Sequence, residues 1–337
     1  MLKAAYIMNP AEWNRIYPPE IQAEIARVVH VLEPVVSPKQ ALVRPDLLGQ
    51  IDILISGWGG PILNQHFLEM APKLKAVFYG AGATDYMLTE AFSDRGIVLT
   101  TAKVMNAIPV AEFTLAHILL GLKRTWQQAF ETKKNRPPVL QKLPMAGAYR
   151  STVGLISLST IGRLVLQRLE PFDVRVIAYD PTIDDDEAME LDVELVSLDD
   201  LFARSDVVSL HAPAIPETIG MITGPHLANM KDGATFINTA RGEIVREDEM
   251  IDVLRVRPDL TAILDVTCPE PPVADSPLYE LPNTILTPHI AGSQDGECER
   301  MGRWMADEIQ RYLAGKPLLG LSAPYERKTL SKRKVAA

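Results

Sequence analysis

The sequence predicts an α/β protein built on two open, doubly wound parallel sheets. Its 337 residues are enough for two domains of ordinary size. Short apolar runs alternate with amphipathic stretches through the first hundred residues, and the alternation starts again at Val153. Strands separated by helical patterns pair in parallel, because a crossover helix must carry the chain back along the sheet. Chemistry-bearing residues gather where the strands end, the usual place for a ligand in such sheets.

In the first half the strand candidates are Ala4–Met8, Val28–Leu32, Ile53–Ser56, Ala76–Tyr79 and Ile97–Thr100. Helical patterns run over Ala11–Arg27, Pro61–Met70 and Asp85–Arg95. Small turn residues follow the third and fourth strands, Gly57-Trp58-Gly59-Gly60 and Gly80-Ala81-Gly82. The stretch Asn106–Phe130 reads as one helix, with Pro109 in its first turn and Glu112 at its positive end. Its apolar surface is broader than a lone surface helix needs, which suits a contact between domains or between subunits. Residues 131–150, with Pro137-Pro138 and Pro144, read as a connection.

The second series has strands at Val153–Ser157, Val174–Tyr179, Val207–Leu210, Thr235–Asn238, Ala262–Asp265 and Thr284–Leu286. Six strands with helices between them match a doubly wound nucleotide-binding sheet. An amphipathic helix, Glu297–Leu313, then leaves this domain and packs back on the first. The basic end of the chain, 321–337, reads as a solvated, disordered tail.

Hydrophobic content of 47% and charged content of 23% describe a globular protein. No apolar run reaches the ~18 residues of a membrane-spanning helix. The opening MLKAAYIMNP is broken at Asn9-Pro10, too early for a signal peptide, and reads as a strand. Cys268 and Cys298 show neither a disulfide framework nor metal-ligand spacing, so a reducing cytoplasm and no metal are expected. A net charge of −9 argues against a nucleic-acid surface.

The stretch Val153–Pro181 carries the first ligand signal. It reads as strand, tight turn, helix (Ile161–Glu170), strand and an acid, Asp180. The helix N-terminus offers free N–H groups and a positive dipole end to a pyrophosphate. Asp180 lies 18 residues after Gly162, close to the spacing at which an acid accepts the adenosine ribose. The pattern G-x-G-x-x-G falls on Ser157, Ser159 and Gly162, so two glycines are serine. Serine tolerates positive φ poorly at the turn, and at the second position it fills space into which a pyrophosphate moves. On this stretch alone, a βαβ unit that binds nucleotide and one that binds none stand level.

Three strand-end loops each supply one candidate for chemistry. Arg241, between Ala240 and Gly242 in NTARGEIV, has room to face a ligand, and a guanidinium suits a bidentate carboxylate. Glu270 lies in LDVTCPEPP, where prolines stiffen the loop; by itself it also reads as a surface acid. His289 lies in LTPHIAGS, and an imidazole is suited to acid–base work near neutrality. A glutamate bonded to His289 fixes its tautomer. His289 then delivers a proton to a ketone oxygen while a hydride arrives at carbon and Arg241 holds the neighbouring carboxylate. His211, at the strand end of LHAPAIPETIG, either stacks near a ribose or caps its strand.

The motifs NTARGEIV, LDVTCPEPP and LTPHIAGS, with LHAPAIPETIG and NAIPVAEF before them, resemble those of the D-isomer-specific 2-hydroxyacid dehydrogenases, over roughly residues 50–315. The resemblance implies a flavodoxin-like substrate domain, 1–103 and 290–320, with a Rossmann dinucleotide-binding domain inserted at 104–289. It implies NAD as cofactor and a homodimer with the 109–130 helix in the contact. By the same resemblance Arg241 binds substrate, His289 exchanges the proton and Glu270 is its partner. Asp180 holds the ribose and favours NAD over NADP. Ser159, Thr160, Ile161, Gly162, His211, Ala212, Thr218, Thr239, Ala240, Asp265 and Gly292 fall where the family meets the cofactor, and Ala81 and Gly82 where backbone N–H groups bind the substrate carboxylate. The chain departs from the family pattern at Ser157 and Ser159.

The implied activity is hydride transfer between NAD(H) and a small 2-keto acid such as glyoxylate or hydroxypyruvate. The alternative is a catalytically weak, NAD-sensing or protein-binding paralogue on the same scaffold. A phosphorylated substrate needs a cation near the 57–60 loop, which holds no Arg or Lys, so 3-phosphoglycerate is disfavoured. Trp58 either lines the substrate pocket or packs against a helix, at equal weight.

Overall fold

A computed structural model of the chain describes residues 1–84, 86–134 and 145–322. They divide into two units, Met1–Ala107 with Ser293 onward, and Ile108–Gly292.

In the first unit β1 (Lys3–Ile7), β2 (His30–Val36), β3 (Ile53–Ser56), β4 (Ala76–Tyr79) and β5 (Val98–Thr101) form one parallel sheet, in the order β2-β1-β3-β4-β5. This is the flavodoxin-like order. β3 and β4 are buried at every position, as strands covered on both faces must be. On one face Ala5, Ile7, Leu54 and Val77 pack with Phe67 and Leu68. On the other, Tyr6 and Phe78 pack with Ile16, Ile21 and Ile25 and with Met301, Met305 and Ile309 of the helix Cys298–Leu313. The far end of the chain therefore completes the core of this unit.

The single helix predicted over Ala11–Arg27 is two helices, Pro10–Ile16 and Pro19–Val28. Pro18 and Pro19 lack the N–H groups that would continue the first, and the residue before a proline is pushed out of helical geometry. The helix predicted from Pro61 starts at Gln65, where the Asn64 side chain caps it. The one predicted over Asp85–Arg95 shrinks to Glu90–Ser93, and Asp85 lies outside the described residues. Of the predicted tail, 321 and 322 are placed against β5: Leu321 bridges Thr100, and the Ser322 amide donates to Leu99 O at 2.9 Å. Residues 323–337 lie outside the described residues.

In the second unit β6 (Thr152–Ile156), β7 (Arg175–Tyr179), β8 (Glu194–Leu195), β9 (Val207–Leu210), β10 (Thr235–Asn238), β11 (Thr261–Leu264) and β12 (Thr284–Leu286) form one parallel sheet. Its order, β12-β11-β10-β9-β6-β7-β8, reverses between β6 and β9. Ligands sit outside the carboxyl ends of strands at such a reversal. β8 is a seventh strand, too short at two residues to leave a sequence signal.

The helix predicted over Asn106–Phe130 runs Lys103–Leu122, with Pro109 inside it rather than in its first turn. Arg124 at φ 49° ends it, and a second helix follows at Thr125–Lys134. That second helix enters the predicted connection, of which 135–144 lies outside the described residues. Lys103–Leu122 is long and apolar enough by composition to cross a bilayer, a property hidden in the sequence by Lys103 and Glu112. Its Ala111, Ile118 and Leu122 are buried against Val153, Leu155, Val207 and Ile237 of the second sheet.

Candidate active site

The turn after β6 sets the dinucleotide side. Ser157 takes φ 74°, a left-handed conformation that costs a serine roughly 1–2 kcal/mol. A Cβ on Gly162 would stand 2.1 Å from Ser157 O, so only glycine lets the helix Thr160–Leu169 start this close to the strand. Ser159 is the N-cap of that helix, and its side chain makes no cap bond. The first N–H groups of the helix thus keep no side-chain acceptor, as an anion site requires.

The two serine hydroxyls point away from this opening. Ser159 Oγ donates to His211 O at 2.8 Å, and Ser157 Oγ to Asp180 Oδ2 at 3.2 Å. The Ser159 hydroxyl has thus found a carbonyl at the end of β9. Asp180 also accepts Leu158 N at 2.8 Å on Oδ2, and Thr182 N and Oγ1 at 2.9 and 2.7 Å on Oδ1.

His211 ends β9 beside this turn and is 4% exposed, with neither ring nitrogen hydrogen-bonded. Burial pushes its pKa down to about 3, so the imidazole is neutral. Ala212 is buried next to it. Thr218 Oγ1 accepts Ile215 N at 3.0 Å and donates to Pro213 O, closing the loop after β9. Thr239 Oγ1 pairs with Thr114 Oγ1 at 3.2 Å, tying the end of β10 to the long helix. An open helix end, an acid after β7 and an unpartnered buried imidazole fit a dinucleotide.

The other residues of interest follow β10, β11 and β12. Asn238 pins the Arg241 loop: its Nδ2 donates to Arg241 O and its Oδ1 accepts Ala240 N, both at 3.0 Å. Arg241 Nη1 donates to Ala240 O at 2.6 Å. A Cβ on Gly242 would lie 2.1 Å from the Thr267 carbonyl, so glycine allows the loops after β10 and β11 to touch.

His289 Nδ1 and Glu270 Oε1 are 2.5 Å apart, with the side chains 46% and 40% exposed. His289 has φ 54°, left-handed as Ser157 is. Asp265, 2% exposed, holds the turn around it. Its Oδ1 accepts Thr287 Oγ1 at 2.6 Å and Ile290 N at 2.9 Å, and its Oδ2 accepts Ala291 N at 2.9 Å. Glu270 and His289 are thus brought together. Arg241 stands on the next strand end, and the Asp265 carboxylate accepts three hydrogen bonds from the chain itself. Gly292 closes the same turn, half-buried.

In the first unit, Trp58 is half-buried on the loop after β3, and its carbonyl accepts Asn9 N at 3.0 Å. Arg15 lies over its ring, 5.8 Å from Cζ to centroid, with Nη1 on Glu12 Oε2 at 2.6 Å. The sequence premise that no cation stands near the 57–60 loop therefore fails; Arg15 is 43 residues before Trp58, and only folding joins them. Ala81 is buried, and its N–H is directed to Tyr79 O at 2.8 Å. A Cβ on Gly82 would meet Asn106 Nδ2 at 3.5 Å, and that same Asn106 accepts Ser293 N through Oδ1 at 3.0 Å.

Residues 115–291 match the model of the D-isomer specific 2-hydroxyacid dehydrogenase, NAD binding domain, so NAD(H) is the cofactor of this segment. The chain is 36% identical over 254 residues to D-3-phosphoglycerate dehydrogenase of Mycobacterium tuberculosis, covering 75% of this chain and 48% of the relative. It thus spans about half the length of that relative. It is 31% identical over 268 residues to glyoxylate reductase of Korarchaeum cryptofilum, covering 79% of this chain and 80% of the other. Among solved structures, the TT0316 protein of Thermus thermophilus superposes with a TM-score of 0.74 at 28% identity, over 94% of this chain and 99% of that one. On these matches and this geometry, the chain belongs to the D-isomer specific 2-hydroxyacid dehydrogenase family.

Proposed function

We propose that the protein is a dehydrogenase that moves a hydride between NAD(H) and a small 2-keto or 2-hydroxy acid of the glyoxylate or hydroxypyruvate type. The observation that carries this reading is the 2.5 Å contact of Glu270 with His289 beside the Arg241 loop. Bound NADH supplies the hydride. Arg241 pairs with the substrate carboxylate, a bidentate partner for a guanidinium. Glu270 accepts from His289 Nδ1, which leaves Nε2 to give a proton to the keto oxygen or to take it back.

The acidic run Asp184–Glu187 after Asp180 supports NAD over NADP, because a 2′-phosphate would add like charge there. We also place the protein in the cytoplasm as a homodimer. Leu115 and Leu119, partly exposed on the long helix, and Phe130, 46% exposed, support a covering second copy.

The test is to titrate the purified chain with NADH by fluorescence, then follow NADH absorbance with glyoxylate, hydroxypyruvate and a phosphorylated 2-keto acid. Turnover of the first two, with His289→Ala losing about 10²–10⁴-fold in kcat at unchanged NADH affinity, supports the reading. No NADH binding at millimolar concentration sinks it. Preference for the phosphorylated acid shifts the substrate and points to Arg15.

A further inference from the structure

A carboxylate offers about four lone-pair sites. All four of those on Asp180 are taken by the chain itself. Leu158 N and Ser157 Oγ fill Oδ2; Thr182 N and Oγ1 fill Oδ1. In a dinucleotide fold this is the carboxylate that accepts the ribose hydroxyls. The two amides cannot withdraw without moving the chain. The two hydroxyls can turn about one bond. Ser157 is the more exposed to exchange, since its 3.2 Å bond is the longest of the four.

We propose that Ser157 is a hydroxyl latch on Asp180, which has to swing away before the adenosine ribose can bind and so sets the affinity for the dinucleotide. A glycine here leaves one acceptor site on the acid open. Serine closes that site and carries left-handed backbone strain as well, at φ 74°. Ser159 has a different role. Its hydroxyl holds His211 O and faces no group that the ribose needs. The inference rests on the dinucleotide reading of this turn and on no turnover.

The two effects at Ser157 separate by substitution. Ser157→Ala removes the hydroxyl and keeps a β-carbon at positive φ. Ser157→Gly removes both. The probe is ADP-ribose, which has the ribose and pyrophosphate but no nicotinamide, titrated calorimetrically into the full chain. Ser157→Ala and Ser157→Gly should each bind about tenfold tighter than wild type, on the scale of one hydrogen bond to a charged group. Circular dichroism should show both variants folded.

If Ser157→Gly tightens binding and Ser157→Ala does not, strain and not the latch controls affinity, and the proposal falls. It falls equally if Ser157→Ala binds like wild type or more weakly. If neither ADP-ribose nor NADH binds any form, the dinucleotide reading itself fails.

Discussion

The amide of His289 donates to the carbonyl oxygen of Asp265 at 3.0 Å, and the Asp265 carboxylate takes the next two amides, of Ile290 and Ala291. A histidine at φ 54° thereby sits on a turn that a single buried acid holds from below. The resemblance to the family places Asp265 against the cofactor. The hydrogen bonds argue instead that it positions His289. Asp265→Asn puts an NH₂ where at least one donor now points, and the turn must shift. A displacement of ~1 Å at a proton donor costs about 10²-fold in rate. We expect kcat to fall by about that factor while the NADH dissociation constant moves less than about threefold. Loss of NADH affinity with turnover retained would return Asp265 to the cofactor.

His211 makes stability depend on pH. Its unfolded pKa is 6.5 and burial lowers the folded value to about 3. Below 6.5 the unfolded chain takes up a proton that the folded chain refuses. The stability from a neutral His211 is therefore complete above 6.5 and declines as pH falls toward 3, by about 1.4 kcal/mol per unit. Asp259, held down to about 2 mainly by its bond to Arg257, contributes only at lower pH, below its ordinary value of 3.8. Between pH 6.5 and 4.5 His226, lowered by burial, and Glu247, raised by burial, respond as well, but both are common to wild type and His211→Leu. Urea midpoints should show wild type losing about 2–3 kcal/mol more than His211→Leu across this window. Equal losses would mean that folded His211 can be protonated.

What the sequence made legible follows burial. β3, β4, β9 and β10 fall on the residues predicted for them, because strands covered by helices read as unbroken apolar runs between polar turns; β12 does so too, although it is half-buried. The pattern at Ala11–Arg27 kept its helical period through Pro18-Pro19, so periodicity outvoted the break. At the site, Arg241, Glu270 and His289 stood out because each follows a strand, and strand ends are local in sequence. The partners of Ser157 and Ser159 were hidden: Asp180 and the His211 carbonyl belong to β7 and β9, and which hydroxyl reaches which depends on the reversal of strand order at β6. Arg15 over Trp58 was hidden for the same reason.

The helix Cys298–Leu313 tests how the first unit is closed. At Gly302 it comes so near the helix Pro10–Ile16 that a Cβ would lie 1.7 Å from Ile16 O and 2.8 Å from its carbonyl carbon. The obstacle is backbone at the end of a helix, so no side chain can swing aside. Gly302→Ala must push the two helices apart and open the packing of Met301 and Met305 against Tyr6 and Ile16. Overpacking costs roughly 1–3 kcal/mol where side chains can adjust, and this site lies at or above the top of that range, at about 3 kcal/mol. Gly296 is the control, with nothing within 4 Å of its added Cβ. Thermal melts should show Gly302→Ala well below wild type and Gly296→Ala level with it or slightly above, since alanine loses less entropy on folding. A Gly302→Ala protein as stable as wild type would mean that the last helix does not close on Pro10–Ile16 as tightly as described.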